Sequence, residues 1–190
     1  DDNLWHNYLT FFLMMSENPF SMTCEKVGAS DGSVNELVEN DFRIFKELFD
    51  YDFGPIEKDL GINCFSQISN YKAIHKKDLM YNKNVSEKVR SLSKKLEAAK
   101  DEKEFFDAVT GFYKDYGVGM FGLNKAFRID DTPQGSFTFR AINNMDTVML
   151  DDLVGYEIQK KKLVDNTEAF VQGKKANNVL LFGDSGTGKS

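Results

Sequence analysis

Val179-Leu180-Leu181-Phe182-Gly183-Asp184-Ser185-Gly186-Thr187-Gly188-Lys189-Ser190 is the stretch on which the reading of this chain turns. The first four residues form a short apolar run of the kind a buried strand uses. The next eight fit the phosphate-binding pattern G-x-x-x-x-G-K-[ST], known as a P-loop. A polyphosphate needs many hydrogen-bond donors in a small space with no side chains in the way. Gly183, Gly186 and Gly188 let the backbone wrap and turn successive N–H groups inward as an anion nest. In the mechanics of this pattern Lys189 reaches the β- and γ-phosphates, and the Ser190 hydroxyl ligates Mg²⁺. With Gly near 7 % of an average chain, the four fixed positions arise by chance at this length on the order of one time in a hundred.

Upstream of the loop, Lys174-Lys175-Ala176-Asn177-Asn178 reads as a connector. Before it comes a helix carrying Tyr156, Gln159, Leu163, Asn166, Thr167 and Phe170 along one side and ending at Gly173. Asp151 and Asp152 are read as helix-entry caps rather than catalytic acids. A lone parallel strand cannot bury both of its faces, so the segment after about Lys174 is expected to be poorly packed.

Further toward the amino end the pattern is helical. Leu4, Tyr8, Phe11, Phe12 and Met15 recur at helical spacing, and Asn18-Pro19 ends that segment. Ser33 and Glu36 read as a capping box ahead of Val34, Leu37, Val38, Asp41, Phe42, Phe45, Leu48 and Phe49. Val85, Val89, Leu92, Leu96 and Ala99 mark a second inner stripe. Asp101 and Glu104 open a third helix that turns Phe105, Phe106, Val109, Phe112 and Tyr113 inward and stops at Gly117. Gly117-Val118-Gly119-Met120-Phe121-Gly122 contains G-x-G-x-x-G, but it follows a helix, so the strand–turn–helix context of a dinucleotide loop is missing. It reads as a tightly packed link. Residues 130–135 read as a loop, and Phe137-Thr138-Phe139-Arg140-Ala141-Ile142 alternates like a strand.

Composition narrows the class. Apolar residues make up 41 % and charged residues 28 %, a globular balance. The 17 phenylalanines argue for large side chains buried between helices. A formal charge of −6, with lysine clusters interleaved with acids, speaks against a nucleic-acid footprint. Leu4–Met15 is too short to span a bilayer, so no membrane partner is expected. Cys24 and Cys64 lack metal spacing and read as free thiols of a reducing cytoplasm. His6 and His75 have no partners nearby in sequence and are assigned no role.

Asp151-Asp152-Leu153-Val154-Gly155-Tyr156-Glu157, Asn166-Thr167-Glu168-Ala169-Phe170 and the run from Asn177 into the P-loop resemble the opening of an AAA+ ATPase module. More narrowly, the chain resembles a bacterial family of predicted AAA+ ATPases of unknown function. Asn18-Pro19-Phe20 and the stretch from Tyr116 to Arg128 share that likeness. The resemblance implies ATP with Mg²⁺, an adenine pocket formed partly by Val154, Gly155 and Tyr156, homo-oligomers through the full AAA+ domain, and hydrolysis coupled to remodelling of a partner. The acidic strand, sensor residues and arginine finger it also implies would lie past Ser190, so no catalytic residue is assignable and no turnover is expected of this chain alone. The expected architecture is a mainly α domain over 1–128, a loop and strand linker over 129–150, and the first helix and strand of an α/β P-loop domain over 151–190. An alternative is a helical protein-interaction module attached to a nucleotide switch that does not hydrolyse.

Overall fold

The computed structural model describes residues 3–29, 32–72, 83–143 and 148–188. Of the positions singled out above, His75, Lys189 and Ser190 lie outside the described residues. Chain contacts divide the molecule into two units, Asp1–Met145 and Asp146–Ser190. The described structure is mainly helical, with one small antiparallel sheet.

The first unit is built around α7 (Glu102–Tyr116), because that helix carries the densest run of large apolar residues. The Asp101 side chain accepts the Glu104 amide at 2.8 Å and starts the helix. Glu104 reaches back to the Lys100 amide at 2.9 Å, one residue earlier than a capping box requires. Phe105, Phe106, Val109, Phe112 and Tyr113 are all buried, as their spacing predicts.

Four helices pack directly on α7: α2 (Pro19–Val27), α3 (Ser33–Phe49), α6 (Lys83–Ala98) and the five-residue α8 (Gly119–Leu123). The first helix, α1 (Leu4–Met15), lies on α3 and α6. Two short helices, α4 (Gly54–Leu60) and α5 (Cys64–Ser69), follow α3. They are joined by Glu57, whose carboxylate accepts from the Ser66 hydroxyl and from the Ser66 amide at 2.8 Å. Those two donors hold the Glu57 carboxyl below its ordinary range.

Aromatic rings make the joints. Phe42 lies 5.9 Å from Phe105 and 5.7 Å from Phe106, and Phe49 meets Phe105 edge-on at 5.4 Å. Asn18 opens α2 with a capping box: its side chain accepts the Phe20 and Ser21 amides, while Ser21 Oγ accepts the Asn18 amide. At the far end of α3 the last carbonyls need donors. Trp5 Nε1 donates to Leu48 O and His6 Nε2 to Phe49 O, each at 2.8 Å. His6 is therefore a structural residue, stacked on Phe49 at 4.6 Å.

Asp130 and Asp131, read as the start of a loop, lie in a strand because they pair with Thr138 and Phe137, and three further details depart from the sequence reading. The buried side of α1 is Leu9, Leu13 and Met14, whereas Tyr8 is 61 % and Phe12 52 % exposed. Both stripes have helical spacing, and the neighbours α3 and α6 decide between them. The Ser33 and Glu36 box does not form: Gly32 is the residue before α3, which makes Ser33 the first helical residue and leaves no side-chain cap there. The link after Gly117 contains a helix, α8, although it is as tightly packed as expected. An added Cβ at Gly119 would lie 1.8 Å from Glu17 Oε1.

The sheet is a hairpin of β1 (Phe127–Asp131) and β2 (Phe137–Ala141), paired antiparallel with Phe127 opposite Ala141 and Asp131 opposite Phe137. The turn closes through the Thr132 amide on Ser136 O at 2.8 Å. Phe121 of α8 meets Phe127 at 4.9 Å and Phe139 at 5.3 Å, which anchors the hairpin.

Tyr113 crosses the core to donate to Leu13 O at 2.9 Å. Burial, with a lesser contribution from Cys24, holds its phenol well above the ordinary range. The raised group stabilises the fold fully below its ordinary value near pH 10, and that stability drains away as pH rises above it, because the unfolded chain ionises first. Between about pH 8 and about pH 11 wild type should lose about 1.4 kcal/mol more than Tyr113→Phe does. At neutral pH the same substitution should cost about 1 kcal/mol for the lost hydrogen bond. Urea midpoints at the two pH values check both figures.

Among the described residues no helix is long and apolar enough to cross a membrane, and no cluster of ligand side chains could hold a metal. Both cysteines are free, Cys24 buried and Cys64 exposed. Burial pushes the Cys24 thiol up, away from reactivity.

Candidate functional site

The second unit carries residues 183–188, the described part of the G-x-x-x-x-G-K-[ST] pattern. A 3₁₀ turn over Leu150–Asp152 leads into it, and Asp152 caps that turn by accepting the Met149 amide at 2.7 Å. Helix α9 (Glu157–Val171) follows, and Tyr156 immediately before it stands at φ 58° and ψ 29°. A left-handed conformation at a non-glycine residue is costly, and such residues concentrate at functional loops. Gly155 beside it is also at positive φ, 84°.

After α9 the chain turns back along the helix. Lys174 donates its amide to Ala169 O at 2.8 Å. The Asn166 side chain then grips the returning strand-like segment at two points, accepting the Asn177 amide and donating to Asn177 O, each at 2.9 Å. Residues 179–182 follow this clamp and lead into the glycine-rich loop. The strand expected over those four residues is not formed. They adopt no regular secondary structure, with Leu180 82 % and Phe182 88 % exposed. An apolar run becomes a strand only where a neighbouring strand accepts its hydrogen bonds, and none lies beside it among the described residues.

The loop itself has the shape its glycines allow. Gly186 and Gly188 stand at φ 79° and 72°, a region closed to most side chains. Thr187 Oγ1 donates to Asp184 O at 2.9 Å and closes the turn. Against Gly188 rests Leu153, whose Cδ2 would be 2.7 Å from a Cβ placed there.

An open cavity of about 500 Å³ lies between the first turns of α9 and this loop. That falls within the range of small-molecule sites. Of the residues assigned from sequence, Tyr156, Gly183, Asp184, Thr187 and Gly188 line it. Val154 does not, being 94 % exposed, nor do Gly155, Ser185 and Gly186. Leu153, Gln159, Lys160 and Leu163 also line it, and the rest of the wall is apolar, from Leu150, Leu180, Leu181 and Phe182. Gln159 and Leu163 were legible as one helix side with Tyr156. Lys160, four residues after Tyr156, has the same spacing but stands in the run Lys160-Lys161-Lys162, which by composition reads as a solvated face. Its Nζ instead turns back to donate to Leu153 O at 2.9 Å and pairs with Glu157 Oε1 at 2.9 Å.

Comparison with protein families gives a match. A family described as "Protein of unknown function (DUF815)" is similar to residues 123–190, a stretch that holds the hairpin, α9 and the G-x-x-x-x-G-K-[ST] pattern. No curated protein and no solved structure matches.

Proposed function

We propose that this chain supplies the phosphate-binding end of an AAA+-type ATPase that binds ATP with Mg²⁺ and couples hydrolysis to remodelling of a partner. The observation that carries the reading is the juxtaposition of Gly183, Asp184, Thr187 and Gly188 with Tyr156 around one cavity, in a loop whose sequence fits G-x-x-x-x-G-K-[ST]. The donor set suits the ligand: a glycine backbone at positive φ turns amides toward an anion, and the cavity wall contributed by Leu153, Tyr156 and Leu163 suits the flat face of a purine. Lys189 would reach the β- and γ-phosphates and Ser190 would hold Mg²⁺. Bound Mg²⁺ would neutralise charge on the phosphates. The chain's own part is to orient them with amides and to hold the base beside Tyr156.

Residues 1–190 alone should bind Mg-ATP without turning it over. Calorimetric titration of this chain with Mg-ATP is expected to give saturable heat. Lys189→Ala should weaken binding at least about tenfold, the size of one lost charged contact to phosphate. Absence of heat at saturating nucleotide, or an unaltered affinity in Lys189→Ala, would overturn the proposal.

A second reading, a helical interaction module joined to a nucleotide switch, is favoured by one observation. Tyr8, Phe11, Phe12 and Met15 leave an apolar stripe of α1 in solvent. Phosphate release by the longer protein containing this chain separates switch from motor.

A further inference from the structure

We infer that Lys160 is a positioning residue for the nucleotide base. On this assignment it fixes the backbone of the loop Leu153–Tyr156 and leaves the phosphates to other groups. The inference rests on the ATP reading above and adds to it the residue that decides how firmly the base is gripped.

A lysine in the first turn of an exposed helix ordinarily extends into water. The Lys160 side chain is only 17 % exposed, because it folds back along its own helix. One ammonium hydrogen is directed at Leu153 O and another at Glu157 Oε1, both at 2.9 Å. An ammonium has three donors in all. With two spent and its charge neutralised by Glu157, Lys160 is poorly placed to serve as a phosphate ligand.

The segment it holds needs holding. Between the tethered Leu153 carbonyl and the start of α9 stand two consecutive positive-φ residues, Gly155 and Tyr156. The Tyr156 conformation is strained, and no side chain caps the helix start there. The Lys160 bond to Leu153 O spans this bend from end to end. Leu153 also rests its side chain on Gly188, so the tether sets the distance between the base-side loop and the phosphate loop. Removing it frees the base side, whereas the Thr187 bond that closes the phosphate loop has no part in it.

The full 190-residue chain serves for the test, as wild type, Lys160→Met, Lys160→Arg and Glu157→Gln, with Mg-ATP and Mg-tripolyphosphate as calorimetric probes. Lys160→Met should weaken ATP about tenfold or more, the size of one charged hydrogen bond, while tripolyphosphate changes less than about twofold. Lys160→Arg should recover most of the loss, since its guanidinium can donate to both acceptors. Glu157→Gln should stay within about threefold of wild type, because an exposed ion pair contributes little. Without ligand, amide exchange at 155–157 in Lys160→Met should quicken about tenfold while later turns of α9 keep their rates. Equal weakening of both probes would mean a phosphate contact and overturn the inference, as would unchanged ATP affinity or unchanged exchange. If wild type binds neither probe, the ATP reading itself has failed and takes the base-gripping role down with it.

Discussion

Phe105→Ala is expected to lower the stability of the helical unit by about 3–5 kcal/mol, the usual cost of emptying a buried phenylalanine site. Phe105 has no exposed surface and stands where α7 meets α3. Its ring contacts Phe42 at 5.9 Å and Phe49 at 5.4 Å, both on α3, which crosses α7 at this point. The size of the penalty depends on how far the neighbours can collapse into the space. Here they cannot move far. Phe49 is fixed by its carbonyl bond to His6 and its stack on that ring, and Phe42 is wedged between Phe20 and Phe106. Rigid rings leave most of the cavity empty, so the upper half of the range applies. Against a domain stability of about 5–15 kcal/mol, such a loss leaves a marginal fold. Phe105→Leu keeps most of the volume and should cost about 1–2 kcal/mol. Urea denaturation followed by far-UV circular dichroism measures both. A midpoint for Phe105→Ala close to that of wild type would mean that the joint between α3 and α7 is not what holds the unit together.

How much of this was open to sequence reading depended on whether local pattern or distant neighbours decided each element. The helical character of α1, α3, α6 and α7 followed from apolar period, and the two ends of α7 from Asp101 and Gly117, all of which act within a few residues. The inner face of α1 did not. Leu9 and Leu13 compete at the same spacing with Tyr8 and Phe12, and only the approach of α3 and α6 shows which pair is covered. The short helices α2, α4, α5 and α8 have one or two turns and too few apolar positions for a period to show. Strand β1 was hidden by its composition, Phe127-Arg128-Ile129-Asp130-Asp131, and became a strand through pairing with the better marked β2. In the candidate site the G-x-x-x-x-G-K-[ST] pattern of residues 183–190 was legible because its residues are adjacent in the chain. Lys160 was not, since its role depends on a side chain folding back against the helix it belongs to.

The glycines carry the same lesson into a measurement. Gly111 and Gly122 are indistinguishable as letters, yet alanine at the two positions should act in opposite directions. Gly111 lies within α7 with nothing inside 4 Å of an added Cβ. There alanine relieves the helix of its worst non-proline residue and should stabilise by about 0.5–1 kcal/mol. At Gly122 an added Cβ would fall 2.4 Å from both the carbonyl carbon and the carbonyl oxygen of Gly117. Those are backbone atoms, so no rotamer change relieves the overlap. Nor can either backbone retreat. Gly117 is tied by its amide to Tyr113 O at 2.9 Å, and the next amide, that of Val118, is held by Glu25 Oε2 at 3.1 Å. On the other side Lys88 Nζ grips Gly122 O at 2.7 Å while lying over the Tyr116 ring. Gly122→Ala must therefore part α8 from the end of α7, at a cost of about 3 kcal/mol or more, the upper end for overpacking. Because Phe121 joins α8 to the hairpin, the damage should spread: amide exchange should quicken across 119–141 before it does in α3. Thermal denaturation of the two variants side by side decides the matter. If Gly122→Ala melts with wild type, the close backbone approach between Gly117 and Gly122 does not exist in solution.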